Sequence, residues 1–271
     1  RLERTPWFLT RVGADPFGEF LTSVLEEAGV PDRFLQRDHE AKTSLAFVAQ
    51  ATAENSFTFY RDRTADTRLE TEPVPDETLA AVEWVYVGGV MLASEPGRTA
   101  TLSLIERANA HDCTVVLDPN ARPELWNNGE FAQVVATVLP DVDVVKATPG
   151  DLRAAGFEGD YEALADAVLA AGPHTALLTM GADGSFARAT TAAPWGETTT
   201  NHPGYPADPV DTTGAGDAFT AGALAMLADG DHDLDAVLGF ANAVAALTTT
   251  ETGAMTALPT RNAVQEFREK Q

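Results

Sequence analysis

From residue 82 onward, short apolar runs alternate with helix-length segments, and this alternation limits the fold more than any other feature. Val82–Val87, Thr114–Leu117, Val142–Val145 and Thr175–Thr179 read as buried strands. Segments near Gly97–Ala110, Gly129–Leu139 and Tyr161–Ala171 read as helices between them. Strands joined through helices run parallel with right-handed crossovers. The pattern therefore predicts an α/β fold: a doubly wound, mostly parallel sheet flanked by helices. Two late helices, near Gly214–Ala228 and Leu234–Thr249, close the domain. Ligands of such sheets gather beyond the carboxyl ends of the strands. Gly88-Gly89, Asp118-Pro119-Asn120, Lys146 and Gly181 fall at those ends.

The first third reads differently. Trp7–Val12 is strand-like, and Asp15-Pro16 is an N-cap followed by proline at the first helical position. That helix should reach Ala28, with Gly29 beyond it. Ser44–Gln50 and Ser56–Tyr60 alternate apolar and polar residues with no long helix between them, which predicts an antiparallel insert within about 33–64. No repeat or low-complexity linker divides the chain, so residues 1–271 are expected to form one domain.

Composition excludes several classes of function. At 44% hydrophobic residues the chain can bury a core. No apolar run reaches the ~18–20 residues of a membrane helix. One cysteine, Cys113, rules out a disulfide scaffold, and the five histidines show no ligand spacing and read as surface residues. A net charge of −23 is the wrong sign for a nucleic-acid groove. The acids are spread along the chain, and only Lys42, Lys146 and Lys270 are lysines. Such self-repulsion is tolerable where the Debye length shrinks to ~3 Å at molar salt, so the composition points to a salt-filled cytoplasm of halophilic type.

The strongest local signal is Asp211-Thr212-Thr213-Gly214-Ala215-Gly216-Asp217 ahead of an apolar helix. Successive amides at a helix N-terminus form an anion cradle. A carboxylate beside bound phosphate is repelled unless it has work there, and taking a proton from an attacking hydroxyl is such work. Alone, the string is equally a capped helix start. The missing Gly-Lys-Ser/Thr ending excludes a Walker loop.

With its flanks this segment resembles the signature of the ribokinase-like, or PfkB, carbohydrate kinases. Leu178-Thr179-Met180-Gly181-Ala182-Asp183-Gly184 resembles the family's nucleotide turn. Asp118-Pro119-Asn120-Ala121-Arg122-Pro123-Glu124-Leu125-Trp126 and Ser94-Glu95-Pro96-Gly97-Arg98 resemble its fructokinase and 2-keto-3-deoxygluconate kinase branches. The resemblance implies ATP and Mg²⁺, with Asp217 as general base and the amides of Gly214, Ala215 and Gly216 holding the developing phosphoryl charge. It implies Thr179, Gly181, Gly184, Asn242 and Thr148 toward the nucleotide, and Phe59, Arg61, Asn120 and Arg122 toward the sugar. Trp126 reads as packing. Lys146 is equally a phosphate neutraliser or a structural partner. Asp211, Thr213, Thr248, Glu251 and Gly253 match a monovalent-cation loop suited to K⁺.

Two departures stand out. The family's Gly-Gly-x-x-x-Asn segment is not found, and it would be expected ahead of Arg1. Where the family often has Asn-x-x-Glu, this chain has Thr148-Pro149-Gly150-Asp151, so Asp151 is expected to act on Mg²⁺ only indirectly. The implied activity is phosphorylation of a primary hydroxyl of a small sugar, with fructose ahead of 2-keto-3-deoxygluconate. A non-catalytic sugar or nucleotide sensor is the rival of another class. The absence of a Gly-x-Gly-x-x-Gly after the first strands argues against a dinucleotide enzyme. In this family such β-lids often pair, so the apolar alternation of Leu45, Phe47, Phe57 and Phe59 predicts a homodimer.

Overall fold

The computed structural model describes residues 1–49, 56–72, 74–127 and 129–271, with only the backbone described at 49, 56 and 57. The chain opens with β1 (Thr10–Gly13), α1 (Pro16–Glu27) and β2 (Leu35–Asp38), then the hairpin strands β3 (Leu45–Ala49) and β4 (Ser56–Tyr60). After the single turn α2 (Asp76–Leu79) the alternation sets in: β5 (Trp84–Gly88), α3 (Gly97–Ala110), β6 (Thr114–Asp118), α4 (Glu130–Val138), β7 (Val144–Ala147), α5 (Pro149–Ala154), α6 (Tyr161–Ala170) and β8 (Thr175–Thr179). The chain ends with β9 (Ser185–Ala189), β10 (Thr198–His202), α7 (Ala215–Ala228), α8 (Leu234–Thr249) and α9 (Arg261–Arg268).

The main sheet has the order β10-β9-β8-β7-β6-β5. β5 through β8 are parallel, and β9 and β10 add an antiparallel edge. Side chains alternate across it. Val115, Leu117, Val145, Ala147, Ala176 and Leu178 face a core filled from α3, α4, α5 and α6, including Ile105, Phe131, Leu152 and Leu164. Val116, Val144, Leu177 and Ala187 face Phe219, Ala223 and Leu227 of α7 and Leu234, Val237 and Leu238 of α8. Burial on both faces is why these strands are continuous apolar runs. Among the described residues no helix is long and apolar enough to cross a membrane.

The expected elements form with shifted ends. The first strand starts at Thr10 rather than Trp7, and the one expected at Val142–Val145 spans Val144–Ala147. β2, β9 and β10 were not anticipated. β2 pairs in parallel with β1, and its Asp38 takes Arg11 at 2.9 Å. The histidines also differ from expectation: His174 and His202 are half-buried, and burial holds both imidazoles below their ordinary range.

The hairpin β3–β4 is stapled at its root. Asp15 caps α1 through the Phe17 and Gly18 amides and also accepts from Thr43 N (2.8 Å) and Thr43 Oγ1 (2.9 Å). Those donors hold its carboxyl below the usual range. The returning leg is tied by Ala65 N to the Lys42 carbonyl at 2.8 Å. The register pairs Leu45 with Tyr60 and Phe47 with Thr58. This corrects the expected single apolar face: Leu45 and Phe47 share a face with Tyr60, and Phe59 belongs to the other face with Ala46 and Val48. The side chain of Phe57 lies outside the described residues. Phe47 and Tyr60 meet edge to face at 5.5 Å yet remain 58% and 62% exposed.

Candidate active site

The Gly-Ala-Gly-Asp string lies where a loop becomes α7. Gly214 is the residue before the helix, with φ +82°, a conformation that favours glycine. A Cβ there would also stand 3.2 Å from Ala254 Cβ. The Ala215 amide turns back to the Thr212 carbonyl at 3.2 Å. Of the three amides expected to form the cradle, that of Ala215 is therefore taken, while those of Gly214 and Gly216, with that of Asp217, have no protein acceptor among the described residues. Asp217 sits in the first turn of the helix and is exposed.

Beneath this turn lie the ends of β6 and β7. Lys146 Nζ donates to Asp118 Oδ2 at 2.8 Å, with side-chain exposures of 5% and 2%. A Cβ on Gly216 would lie 3.0 Å from that Nζ. Burial pushes the Asp118 carboxyl up. Lys146 pulls it back, while the charges of Asp151 and Asp217 push the same way as burial. Tyr86 of β5 stands in the same field: partial burial, then Asp118 and Asp217, raise its phenol above the ordinary range.

The strand-end turn after β6 is fixed by carboxylates. Asp118 Oδ1 accepts from the Asn120 amide at 3.0 Å, and Asp151 Oδ1 accepts from the Ala121 amide at 2.8 Å. Asn120 holds φ +45°, a region Asn enters more readily than most residues, and its Oδ1 is buried with no partner among the described residues. Arg122 Nη1 donates to the Ala121 carbonyl at 2.8 Å. Asp151 also closes a capping box on α5: its Oδ2 accepts from Thr148 N and Oγ1, and Thr148 Oγ1 accepts from its amide. Both oxygens of Asp151, expected near a metal, are thus taken by protein donors.

The turn at Gly181–Gly184, expected to face the nucleotide, is a tight β8–β9 connection. Gly181 and Gly184 have φ +63° and +84°, and a Cβ on Gly184 would collide with the His202 carbonyl and Gly204 amide. Thr179 pairs with Ser185 across the turn. Asn242, buried on α8, donates through Nδ2 to Ser185 Oγ (2.6 Å) and to the Leu238 carbonyl (2.8 Å). The structure thus brings Asn242 to the foot of this turn.

A third group surrounds Asp211. Its oxygens accept from Thr213 N at 2.9 Å and Gly253 N at 3.0 Å, and these donors hold the carboxyl low. Thr248 is buried with its hydroxyl on the Val244 carbonyl, and Glu251 is exposed. Phe59 lies in β4 of the hairpin and Arg61 follows it directly. Arg61 Nε donates to Asp66 at 2.5 Å, and its Nη2 reaches Met91 Sδ at 3.9 Å, beyond the end of β5. Trp126 packs on Phe131 at 5.2 Å, in line with a packing role. Sequence reasoning singled out Lys146 but did not name Asp118 as its partner, and it passed over Tyr86. The signal for the pair was present, because Leu117-Asp118 and Val145-Lys146 each end an apolar run on a charge.

Unpartnered amides, an exposed carboxylate and a buried cation thus meet at the carboxyl ends of a parallel sheet, where ligands of such sheets gather and where phosphoryl transfer would need groups of these kinds. Residues 1–261 match the model of the pfkB family carbohydrate kinases, and the chain belongs to that family. It is similar to the fructokinase of Vibrio alginolyticus, at 36% identity over 98% of this chain and 87% of that one. Two solved structures are similar in fold as well. The fructokinase of Xylella fastidiosa with bound ATP is 30% identical, with a TM-score of 0.88 over 100% of this chain and 87% of that one. The fructokinase of Vibrio cholerae O395 with fructose, ADP and calcium is 32% identical, with a TM-score of 0.86 over 98% and 86%.

Proposed function

We propose that the chain is an ATP-dependent fructokinase that moves the γ-phosphoryl group of ATP to a primary hydroxyl of fructose. The observation that carries this reading is the exposed Asp217 carboxylate within one helical turn of the Gly216 and Asp217 amides. A sensor has no need of a base at that position. Asp217 would take the hydroxyl proton as the oxygen attacks phosphorus, and the amides would hold the charge on the transferring group. Relatives named as fructokinases and solved with ATP or with fructose and ADP support the choice of substrates.

Other roles follow from placement. Asn120, with its buried unpartnered Oδ1, and Arg122 would meet the sugar at the strand end, with Phe59 and Arg61 above it on the lid. Thr179, Gly181, Gly184 and Asn242 would shape the nucleotide site. Thr148 and Asp151 would act through the Ala121 turn. Among the described residues no three His, Cys, Asp or Glu side chains form a metal cage. Mg²⁺ would therefore arrive on the triphosphate, neutralising its charge, with Asp151 contributing through water. The oxygen-rich loop of Asp211, Thr213, Thr248, Glu251 and Gly253 suits K⁺ in donor type. The outer lid face of Phe47 and Tyr60 would pair two copies of the chain, and the acidic surplus suits a salt-rich cytoplasm.

2-Keto-3-deoxygluconate remains the second reading, because Arg122 and Arg61 could engage a substrate carboxylate. The test is ADP release in ~2–3 M KCl with ATP and Mg²⁺, scanning fructose, 2-keto-3-deoxygluconate, ribose and adenosine. Fructose turnover that falls at least ~10²-fold in Asp217→Asn, with ADP still bound, is the expected result. Turnover on another acceptor alone would replace fructose. Turnover on none, by folded protein that binds ATP, would favour the sensor.

A further inference from the structure

We infer that Lys146 contacts the transferring phosphoryl group: its ammonium, anchored on Asp118 beneath Gly216, supplies a positive charge that the neutral cradle amides lack. The inference rests on the kinase reading above and carries it to a residue outside the Gly-Ala-Gly-Asp string.

Three observations lead there. First, an ammonium has three N–H donors, and among the described residues Asp118 Oδ2 is the one hydrogen-bond acceptor Lys146 has. The side chain is 5% exposed, so bulk water does not satisfy the other two. Replacing a buried ion pair by apolar residues is often neutral or stabilising, so stability alone gives little reason to keep one.

Second, the ammonium lies against Gly216. That glycine is not among the residues with positive φ, so its backbone does not require glycine. In a helical turn glycine costs ~0.5–1 kcal/mol relative to alanine. The space a Cβ would fill ends 3.0 Å from Lys146 Nζ. A side chain at 216 would have to push the lysine tip aside, so glycine leaves the cation its place.

Third, the cradle offers neutral donors only. A transferring phosphoryl group spreads charge over three equatorial oxygens. With the Ala215 amide turned back to Thr212, the amides of Gly214, Gly216 and Asp217 are left, and none of them carries a charge. Lys146 adds the positive charge that these amides lack, and it offsets Asp118, Asp151 and Asp217 around it. In the step itself the attacking hydroxyl oxygen bonds to phosphorus, its proton passes to Asp217, and the bond to the β–γ bridging oxygen breaks with its electron pair leaving on ADP. Lys146 keeps its protons throughout.

Removing Lys146 alone strands a buried carboxylate, so the variant to test is Lys146→Met/Asp118→Asn, which removes both charges and keeps an acceptor for the Asn120 amide. Calorimetry would measure its affinity for ADP and for the β,γ-methylene analogue of ATP. The expected result is ADP affinity within about twofold of the parent and analogue affinity lowered at least tenfold. An unchanged ratio of the two affinities in the folded variant would overturn the inference. Should that variant not fold, the parent protein answers by nitrogen NMR of its lysine ammonium groups, of which there are three. The analogue should shift and slow the exchange of the Lys146 resonance where ADP does not; identical spectra with the two nucleotides would overturn the inference. Fructose turnover of the parent is measured alongside. Its absence, with triphosphate discrimination intact, would sink the fructose reading and leave the role of Lys146 standing.

Discussion

The two glycines of the Gly-Ala-Gly-Asp string answer different physical demands. Gly214 is required by its backbone, at φ +82°, and by Ala254 at 3.2 Å. Gly216 leaves room for the ammonium on its flank. Their alanine variants should therefore fail differently. Gly214→Ala should lose ~1–2 kcal/mol of stability, the cost of a left-handed conformation for an L-residue. Gly216→Ala should melt within a few degrees of the parent, because the gain in helix propensity offsets the displaced lysine tip. Its kcat should nevertheless fall about tenfold, since the displaced cation acts in the transition state. Thermal melts paired with fructose kinetics would check this. Equal stability losses in the two variants would contradict the division of roles. The sequence marked both positions as glycine but not the reason at 216, because Lys146 lies 70 residues away and only the β7–α7 juxtaposition brings it there.

At the scale of elements, the short helix α5 links two parts of the site. Its Thr148–Asp151 capping box also holds the Ala121 amide, so one carboxylate serves both a helix start and the strand-end turn. Thr148→Ala should cost ~1 kcal/mol, the usual worth of a cap. Asp151→Ala should cost ~2–4 kcal/mol, because it also orphans the Ala121 N–H. The second variant alone should raise KM for the sugar. Urea unfolding with steady-state kinetics would separate the two, and equal effects would show that the shared carboxylate does not matter. Legibility followed burial in the same way. β5 through β8 and helices α3, α7 and α8 were readable because short apolar runs and helix-length segments alternate along the chain with turn residues between them. β2 and β10, with sequences LQRD and TTTNH, carry too few apolar residues to signal a strand. They form because a neighbour offers a ladder, which periodicity cannot register. The turn at Gly181–Gly184 was readable as a turn, but the Asn242–Ser185 bond that ties it to α8 spans 57 residues and was not. The lid was legible as a hairpin, but its register was needed to assign faces. Pairing through Phe47 and Tyr60 predicts a dimer by light scattering in molar KCl that becomes monomeric in Phe47→Ser/Tyr60→Ser. A monomeric parent would remove the lid from the assembly.

For the whole molecule, the balance of charge sets the response to salt. Matching every cation to an acid still leaves 23 negative charges. Two opposing effects follow when salt is added. The exposed pairs weaken, among them Arg188 with Glu162 and Asp166 and Arg107 with Asp76. Such pairs are worth ~0–1 kcal/mol each, so little is lost. The unmatched acids repel one another across the whole surface, and at 0.1 M salt the screening length is still ~10 Å. At 2 M it is shorter than the spacing of neighbouring surface charges, and this repulsion largely disappears. The second effect outweighs the first because it sums over many acids, whereas few cations remain to lose partners. The melting temperature should therefore climb between 0.1 and 2 M KCl. A gain of a few kcal/mol would appear as a rise of roughly 5–10 °C in a chain of this size. NaCl should act as KCl does, apart from any contribution of a potassium site at the Asp211 loop, which would show as an excess in KCl at low concentration. A melting temperature that falls with salt would mean that the arginine pairs, not the acidic surplus, govern the stability of the fold.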